Sequence, residues 1–399
     1  MKIALVSFFD TNLGEELIKD CTRFLIEKAA AKKGIKTEIE IFSLFPDENR
    51  FREFFIFRRN LACTTYLIFK KFKLPEFLKP AFRFIEELTA ILKWHFRQKS
   101  DAKVREYYEN IAKSADVVLT SGGAVLSDFK LNLWAPFYAL LCASERLKVP
   151  VYINCIGVER PSAAFSALFK NIFSKKCIKH ITVRDDIKTA LKFCSKKAHC
   201  KLAGDPALWS GECYGIRRSD SGTVGINVIR EGIFLDNDGH LQPEDVKRAY
   251  INIINSLISR GYRVQLFTNG LWLDENFAKV ILNESNLNGN PVALAPCPKN
   301  GAELAKNISS YHAIIGARMH CAIAAVSLDI PCVEVLWKPK QVHFARLINR
   351  SEWFFTQKQF LDAEFVADLM EKAILQGYDR EIISRLKKLA YENLMTHLF

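Results

Sequence analysis

The chain has 399 residues, 49% of them hydrophobic and 25% charged, with only 18 Gly and 13 Pro. That is enough length for about two domains, and it excludes wholesale disorder, fibrous repeats and a small disulfide-stapled scaffold. The formal net charge of +13 leaves nucleic acid, anionic lipid and a small polyanionic substrate as partners to weigh.

The opening segment, Lys2 to Phe9, reads as a buried strand that Asp10 cuts too soon for a signal peptide. No apolar run approaches the roughly 18 residues of a membrane span, so a cytoplasmic protein is expected. A polar turn at 10–12 leads into a helix with Leu17, Ile18, Cys21, Phe24, Leu25 and Ile26 apolar and Gly34 at its end. A second strand follows at Thr37 to Phe42. Between Arg50 and Ser100 stand twelve Lys/Arg against four Asp/Glu, a net +8 that interleaves with aromatics such as Phe54, Phe55, Tyr66, Phe69 and Trp94. Pro75 and Pro80 break this stretch into amphipathic helices. Three readings remain for it: packing of the aromatics onto the first domain, binding to an anionic membrane surface, and nucleic acid. The last is disfavoured because no nucleic-acid module accompanies the charge.

The strand rhythm resumes at Asp116 to Thr120, Pro150 to Asn154 and Lys179 to Val183, with helical stretches such as Trp134 to Leu147 between. Residues 209–222 are polar and aperiodic and mark a domain boundary. The alternation restarts at Thr223 to Ile229. A strongly amphipathic helix then runs from Pro243 to Gly261, with Val246, Ala249, Tyr250, Ile253, Ile254, Leu257 and Ile258 on one stripe. Strands are expected at 262–267, 291–295, 313–316 and 331–336, and closing helices at 360–375 and 380–394. Alternating strands and helices predict an α/β fold of two doubly wound, Rossmann-like domains facing a cleft. The expected division is 1–210, with the basic insertion at about 50–100, then 222–376, then a closing helix at 378–399. Eleven cysteines are scattered from Cys21 to Cys332 without a C-x-x-C pair, which reads as reduced thiols and no zinc site.

Ligands of doubly wound sheets bind at the carboxyl ends of strands, beside helix N-termini. Those exits carry Asn12, Gly14 and Glu15; Gly122, Gly123 and Asp128; Arg184; Asp205; Arg230; Arg318 with His320; and Lys340. Arg184, Arg230, Arg318, His320 and Lys340 together suit a small polyanion. Each has a plainer alternative: a local ion pair for Arg184 with Asp185 and Asp186, turn chemistry for Asp205 before Pro206, a tight turn for Gly122 and Gly123. His320 stands apart, because it opens an apolar helix just past a buried strand. No H-E-x-x-H, G-x-S-x-G or P-loop sequence appears.

The set Asn12-Leu-Gly14-Glu15, Ser121-Gly122-Gly123 through Asp128, Val183-Arg184-Asp185, Asp205-Pro206-Ala207 and Ala317-Arg318-Met-His320-Cys-Ala-Ile-Ala-Ala325 through Ile330-Pro331 resembles the polysaccharide pyruvyl transferase family. The Arg-x-His-x-x-Ile-Ala segment is its most specific part. The resemblance implies an architecture like that of B-type glycosyltransferases. It also implies transfer of the enolpyruvyl skeleton of phosphoenolpyruvate, as co-substrate and with no further cofactor or metal, onto a sugar diol as a ketal. Glu15 stands where the family commonly has Asp, and Ser121 where it has a third Gly.

On that reading, Arg318, Arg184, Arg230 and Lys340 bind the carboxylate and phosphate, with Asn12, Gly14, Gly122, Gly123 and Asp205 lining the site. His320 protonates the vinyl carbon or holds the phosphate, and Asp128 or Glu15 accepts the hydroxyl proton. The helix dipole opposes a charge on His320, so the substrate phosphate is expected to compensate. The acceptor is a sugar of a surface polysaccharide or its precursor, in one version polyprenyl-linked, with residues 50–100 on the inner face of the cell membrane. The rival readings are a nucleotide-sugar-dependent glycosyltransferase of the same architecture, for which Glu334 offers a carboxylate, and a non-catalytic adaptor driven by the basic segment.

Overall fold

The computed structural model describes residues 1–8, 13–45, 101–123, 125–127, 133–159, 166–194, 199–237, 239–287 and 292–399, with isolated positions between 46 and 100. The basic aromatic segment, Asn12 and Asp128 therefore lie outside the described residues, apart from those isolated positions.

Two parallel sheets carry the structure. The first holds β1 (Lys2–Ser7), β2 (Glu38–Ser43), β3 (Val117–Ser121), β5 (Val151–Ile156), β7 (Ile178–Val183) and β8 (His199–Leu202) in the order β2-β1-β3-β5-β7-β8. A small pairing of β4 (Leu126–Ser127) with β6 (Val158–Glu159) lies apart from it. The second holds β9 (Thr223–Asn227), β10 (Arg263–Phe267), β11 (Val292–Leu294), β12 (Tyr311–Gly316), β13 (Cys332–Val335) and β14 (Phe354–Phe355) in the order β11-β10-β9-β12-β13-β14. β3 is buried along its whole length, and β1 is buried except at Lys2. Helices cover both faces of such sheets, so the strands read as continuous apolar runs.

The helices are α1 (Leu13–Lys33), α2 (Ala102–Lys113), α3 (Trp134–Arg146), α4 (Ser166–Phe173), α5 (Pro243–Ser259), α6 (Trp272–Leu287), α7 (Gly301–Ser309), α8 (Met319–Ser327), α9 (Pro339–Leu347), α10 (Ala363–Gln376) and α11 (Arg380–His397), besides shorter turns. α5 follows its expected stripe: Val246, Ala249, Tyr250, Ile253, Ile254 and Leu257 are buried. Asp379 caps α11 by accepting from the Glu381 and Ile382 amides.

The compact units divide the chain differently from the expected 1–210 and 222–376. One comprises Met1–Phe9, Ile35–Val183 and Ile187–Lys201; the other comprises Asp10–Gly34, Arg184–Asp186 and Leu202–Phe399. α1 therefore packs with the second sheet's unit. Its Asp20 accepts from the Tyr214 hydroxyl at 2.9 Å, and Leu17 and Ile18 join that unit's core. The stretch expected as a linker is partly ordered there as well. Residues Ser210–Tyr214 form a helical turn whose Gly211 amide donates to Ser327 Oγ at 2.9 Å. α11 closes over the same unit: a Cβ at Gly204 would meet the Leu386 carbonyl oxygen at 2.1 Å, and the Trp209 indole donates to the Lys387 carbonyl.

Candidate active site

The carboxyl ends of β9, β10 and β12 are tied together by two fully buried amides. Asn227 donates from Nδ2 to Asn269 Oδ1 at 3.0 Å, and its own Oδ1 accepts from the Arg318 amide at 3.2 Å. β12 ends at Gly316, and Arg318, in extended conformation, caps α8. The guanidinium then forks onto Asp274: Nη2 reaches Oδ1 at 2.9 Å, and Nε donates to Oδ2. Asp274 lies in the first turn of α6, fully buried, where the helix dipole favours a carboxylate. The same Oδ1 accepts from the Arg230 amide at 3.0 Å. One carboxylate thus orients Arg318 and fixes the loop carrying Arg230.

The second cluster centres on His320, in the first turn of α8 and buried. Asp205 caps the turn Pro206–Trp209, with Oδ1 accepting from the Ala207 amide at 2.9 Å. Its Oδ2 accepts from Arg184 Nη1 at 3.0 Å, the two side chains being 3% and 1% exposed. The same Nη1 lies 3.4 Å from His320 Nε2. A guanidinium can only donate, so a hydrogen bond here requires Nε2 as the acceptor, that is, the tautomer with its proton on Nδ1. The Nδ1 edge faces the start of α1: a Cβ at Gly14 would stand 2.1 Å from Nδ1 and 2.5 Å from Cγ. Gly14 is there because nothing larger fits beside the imidazole. Glu15, next along α1, is buried as well.

Arg184, Arg318, His320, Asp205, Gly14, Glu15, Arg230 and Lys340 all belong to the second unit. The Arg230 side chain pairs with Asp236, and Lys340 lies in the first turn of α9. Gly122 and Gly123 belong to the first unit. Both have positive φ, +79° and +73°, a conformation that favours glycine. The Gly122 amide donates to the Asn154 carbonyl at 3.1 Å, the Gly157 amide to the Gly123 carbonyl at 2.9 Å, and a Cβ at Gly123 would meet the Phe8 ring at 2.8 Å. These contacts tie the end of β3 to the end of β5 and to the residues that follow it.

Asp274, Asn227 and Trp337, whose indole donates to the Ala317 carbonyl at 2.6 Å, were not legible as site residues. Asp274 alone left a signal, an acid in the first turn of a helix just past a strand exit. Among the described residues no group of three or more His, Cys, Asp or Glu side chains is placed to hold a metal ion, and the cysteines are free thiols.

Solved structures share this architecture. UDP-GlcNAc 2-epimerase from Methanocaldococcus jannaschii is 12% identical with a TM-score of 0.56, over 99% of this chain and 98% of its own. The enzyme of the same name from Neisseria meningitidis, bound to UDP-GlcNAc, is 14% identical with a TM-score of 0.56 over the whole of both chains. At these identities the likeness shows the fold, two Rossmann-like domains of the B-type glycosyltransferase and epimerase class. No curated protein matches the chain by sequence. The family model for polysaccharide pyruvyl transferase matches residues 12–338, a span containing both ion-paired arginines, His320 and the starts of α1 and α8, and the chain belongs to that family.

Proposed function

We propose that the protein transfers the enolpyruvyl skeleton of phosphoenolpyruvate to two hydroxyls of a sugar, forming a pyruvate ketal on a surface polysaccharide or its precursor and releasing phosphate. The observation that carries this reading is the buried row Asp205–Arg184–His320 beside the Arg318–Asp274 fork: two guanidinium groups and one imidazole in a single unit of a pyruvyl transferase. The donor needs a cation for its carboxylate, a cation for its phosphate and a proton for its methylene carbon.

Arg318, steered by Asp274, binds one anionic end, and Arg184 with Lys340 the other. The phosphate competes with His320 for the Arg184 N–H, and its negative charge favours the imidazolium. His320 then delivers a proton to the methylene carbon. Carbon 2, now cationic, takes the first sugar hydroxyl, whose proton passes to Glu15. The bond from carbon 2 to the phosphate oxygen breaks, and the second hydroxyl closes the ketal as its proton leaves with phosphate. Residues 50–100 bind the anionic inner face of the cell membrane, which brings the enzyme to a polyprenyl-linked acceptor.

Thermal shift tests the donor directly. Phosphoenolpyruvate should raise the melting temperature, and the shift should disappear in Arg318→Ala. A shift with nucleotide sugars and none with phosphoenolpyruvate rejects the reading in favour of a glycosyltransferase.

A further inference from the structure

Glu334 is a fully buried carboxyl group on β13, paired across the sheet with Gly316 on β12 and Phe354 on β14. Gly316 directly precedes Ala317 and Arg318, and a Cβ there would stand 3.5 Å from Glu334 Cγ. Oε1 of Glu334 accepts from Gln341 Nε2 at 2.6 Å, while Oε2 has no hydrogen-bond partner among the described residues. A carboxylate left so would be costly to bury.

Gln341 is also fully buried, and all its polar capacity is spent at the entrance to α9. Nε2 donates to the Val335 carbonyl at 2.9 Å, and Oε1 accepts from the Trp337 and Lys338 amides at 2.9 and 2.8 Å. Trp337 in turn donates to the Ala317 carbonyl, next to Arg318. Lys340 follows two residues after Lys338. A continuous set of hydrogen bonds thus leads from one buried carboxyl to the loops that carry two of the site's cations.

We propose that Glu334 is a positioning residue which, through Gln341 and Trp337, sets where Lys340 and Arg318 stand for the transfer. This rests on the functional reading above.

Burial pushes the Glu334 carboxyl up to about 8, against the smaller opposing pulls of the Gln341 hydrogen bond and the Lys340 charge. At neutral pH the group is the uncharged acid, which tolerates an unpaired oxygen where a carboxylate does not. The titratable groups facing it are Lys340 from α9 and the Cys332 thiol from its own strand; its neighbours Gly316 and Phe354 bring none. Above about pH 8 the buried carboxylate gains by reaching water, so although the Gln341 N–H holds the charged form more tightly, the larger cost of burial favours opening of the entrance to α9.

The test uses the full chain as wild type, Glu334→Gln and Gln341→Leu, from about pH 6.5 to about 9.5. Hydrogen exchange at the Trp337 and Lys338 amides, corrected for its intrinsic pH dependence, reads the loop. Calorimetric titration with phosphoenolpyruvate reads the site. In the wild type, protection and affinity should both fall about tenfold as pH passes 8. Glu334→Gln, which keeps the acceptor and cannot ionise, should show neither break. Gln341→Leu should be poorly protected and bind at least about tenfold more weakly at every pH. A break that persists in Glu334→Gln, or an affinity that does not follow protection, overturns the proposal. A wild type that binds no phosphoenolpyruvate at any pH rejects the functional reading instead, and exchange alone then decides whether Glu334 sets the loop.

Discussion

Arg184 and Arg318 are held by buried carboxylates, Asp205 and Asp274, that come from distant parts of the chain. A guanidinium held this way keeps its direction when substrate arrives, and it loses that direction if the partner goes. Asp274→Ala should therefore destabilise the protein by about 3–5 kcal/mol, the usual cost of leaving a buried charge unpaired, and raise the KM for phosphoenolpyruvate more than it lowers kcat. Urea unfolding and steady-state kinetics on the same preparation separate the two effects. His320→Ala should cost about two to four orders of magnitude in turnover, and near-normal turnover would remove it as the acid. Glu334 has a thermodynamic signature of its own. Its folded-state value of about 8 lies above the ordinary 4.5, so the folded state binds the extra proton and stability falls as pH rises between those limits. Glu334→Gln removes that slope. Relative to wild type it should gain roughly 1.4 kcal/mol for each pH unit climbed through the window, with no further gain above about pH 8. Unfolding curves at a series of pH values read it.

Helix starts do most of the positioning. α1 brings Gly14 against the His320 imidazole, α6 brings Asp274 under Arg318, and α8 presents His320 itself. Gly14→Ala forces a methyl group to within 2.1 Å of Nδ1, so the ring must move. Turnover should fall at least tenfold and the melting temperature should fall as well, because the methyl group also stands 2.8 Å from His320 Cβ and overpacks a buried site. The buried strands were legible within a residue or two because parallel strands covered on both faces are continuous apolar runs. β14, at two residues, is too short to carry a period, and β8 (His199–Leu202) has no apolar run. At the site, the sequence pointed to Arg184, Asp205, Arg318 and His320, but not to the pairing of Arg184 with Asp205 and not to Asp274. Asp205 lies 21 residues from Arg184 and Asp274 lies 44 from Arg318, and pairing over such separations leaves no local pattern.

At the scale of the molecule, the chain passes from one compact unit to the other more than once, since Asp10–Gly34 and Arg184–Asp186 join the unit built on the second sheet. A composition break near residue 210 could not reveal that, because unit membership here is decided by long-range packing. The passages matter for chemistry, as they bring Gly14, Glu15 and Arg184 into the unit that holds Arg318 and His320. No helix among the described residues is long and apolar enough to cross a membrane; the proposed attachment rests on the net charge of +8 that the sequence carries over residues 50–100. Flotation with anionic vesicles should recover the protein at low salt and lose it when Arg58, Arg59, Lys70 and Lys71 are changed to Glu, with phosphoenolpyruvate binding intact; equal recovery with neutral vesicles would remove lipid charge as the cause. The central claim is the ketal itself. Incubation with phosphoenolpyruvate and a panel of free, nucleotide-linked and polyprenyl-linked glycosides, followed by mass spectrometry, should give an acid-labile pyruvate ketal on one acceptor together with an equal amount of phosphate. Transfer of a sugar from a nucleotide donor, or phosphate release with no ketal on any acceptor, would contradict it.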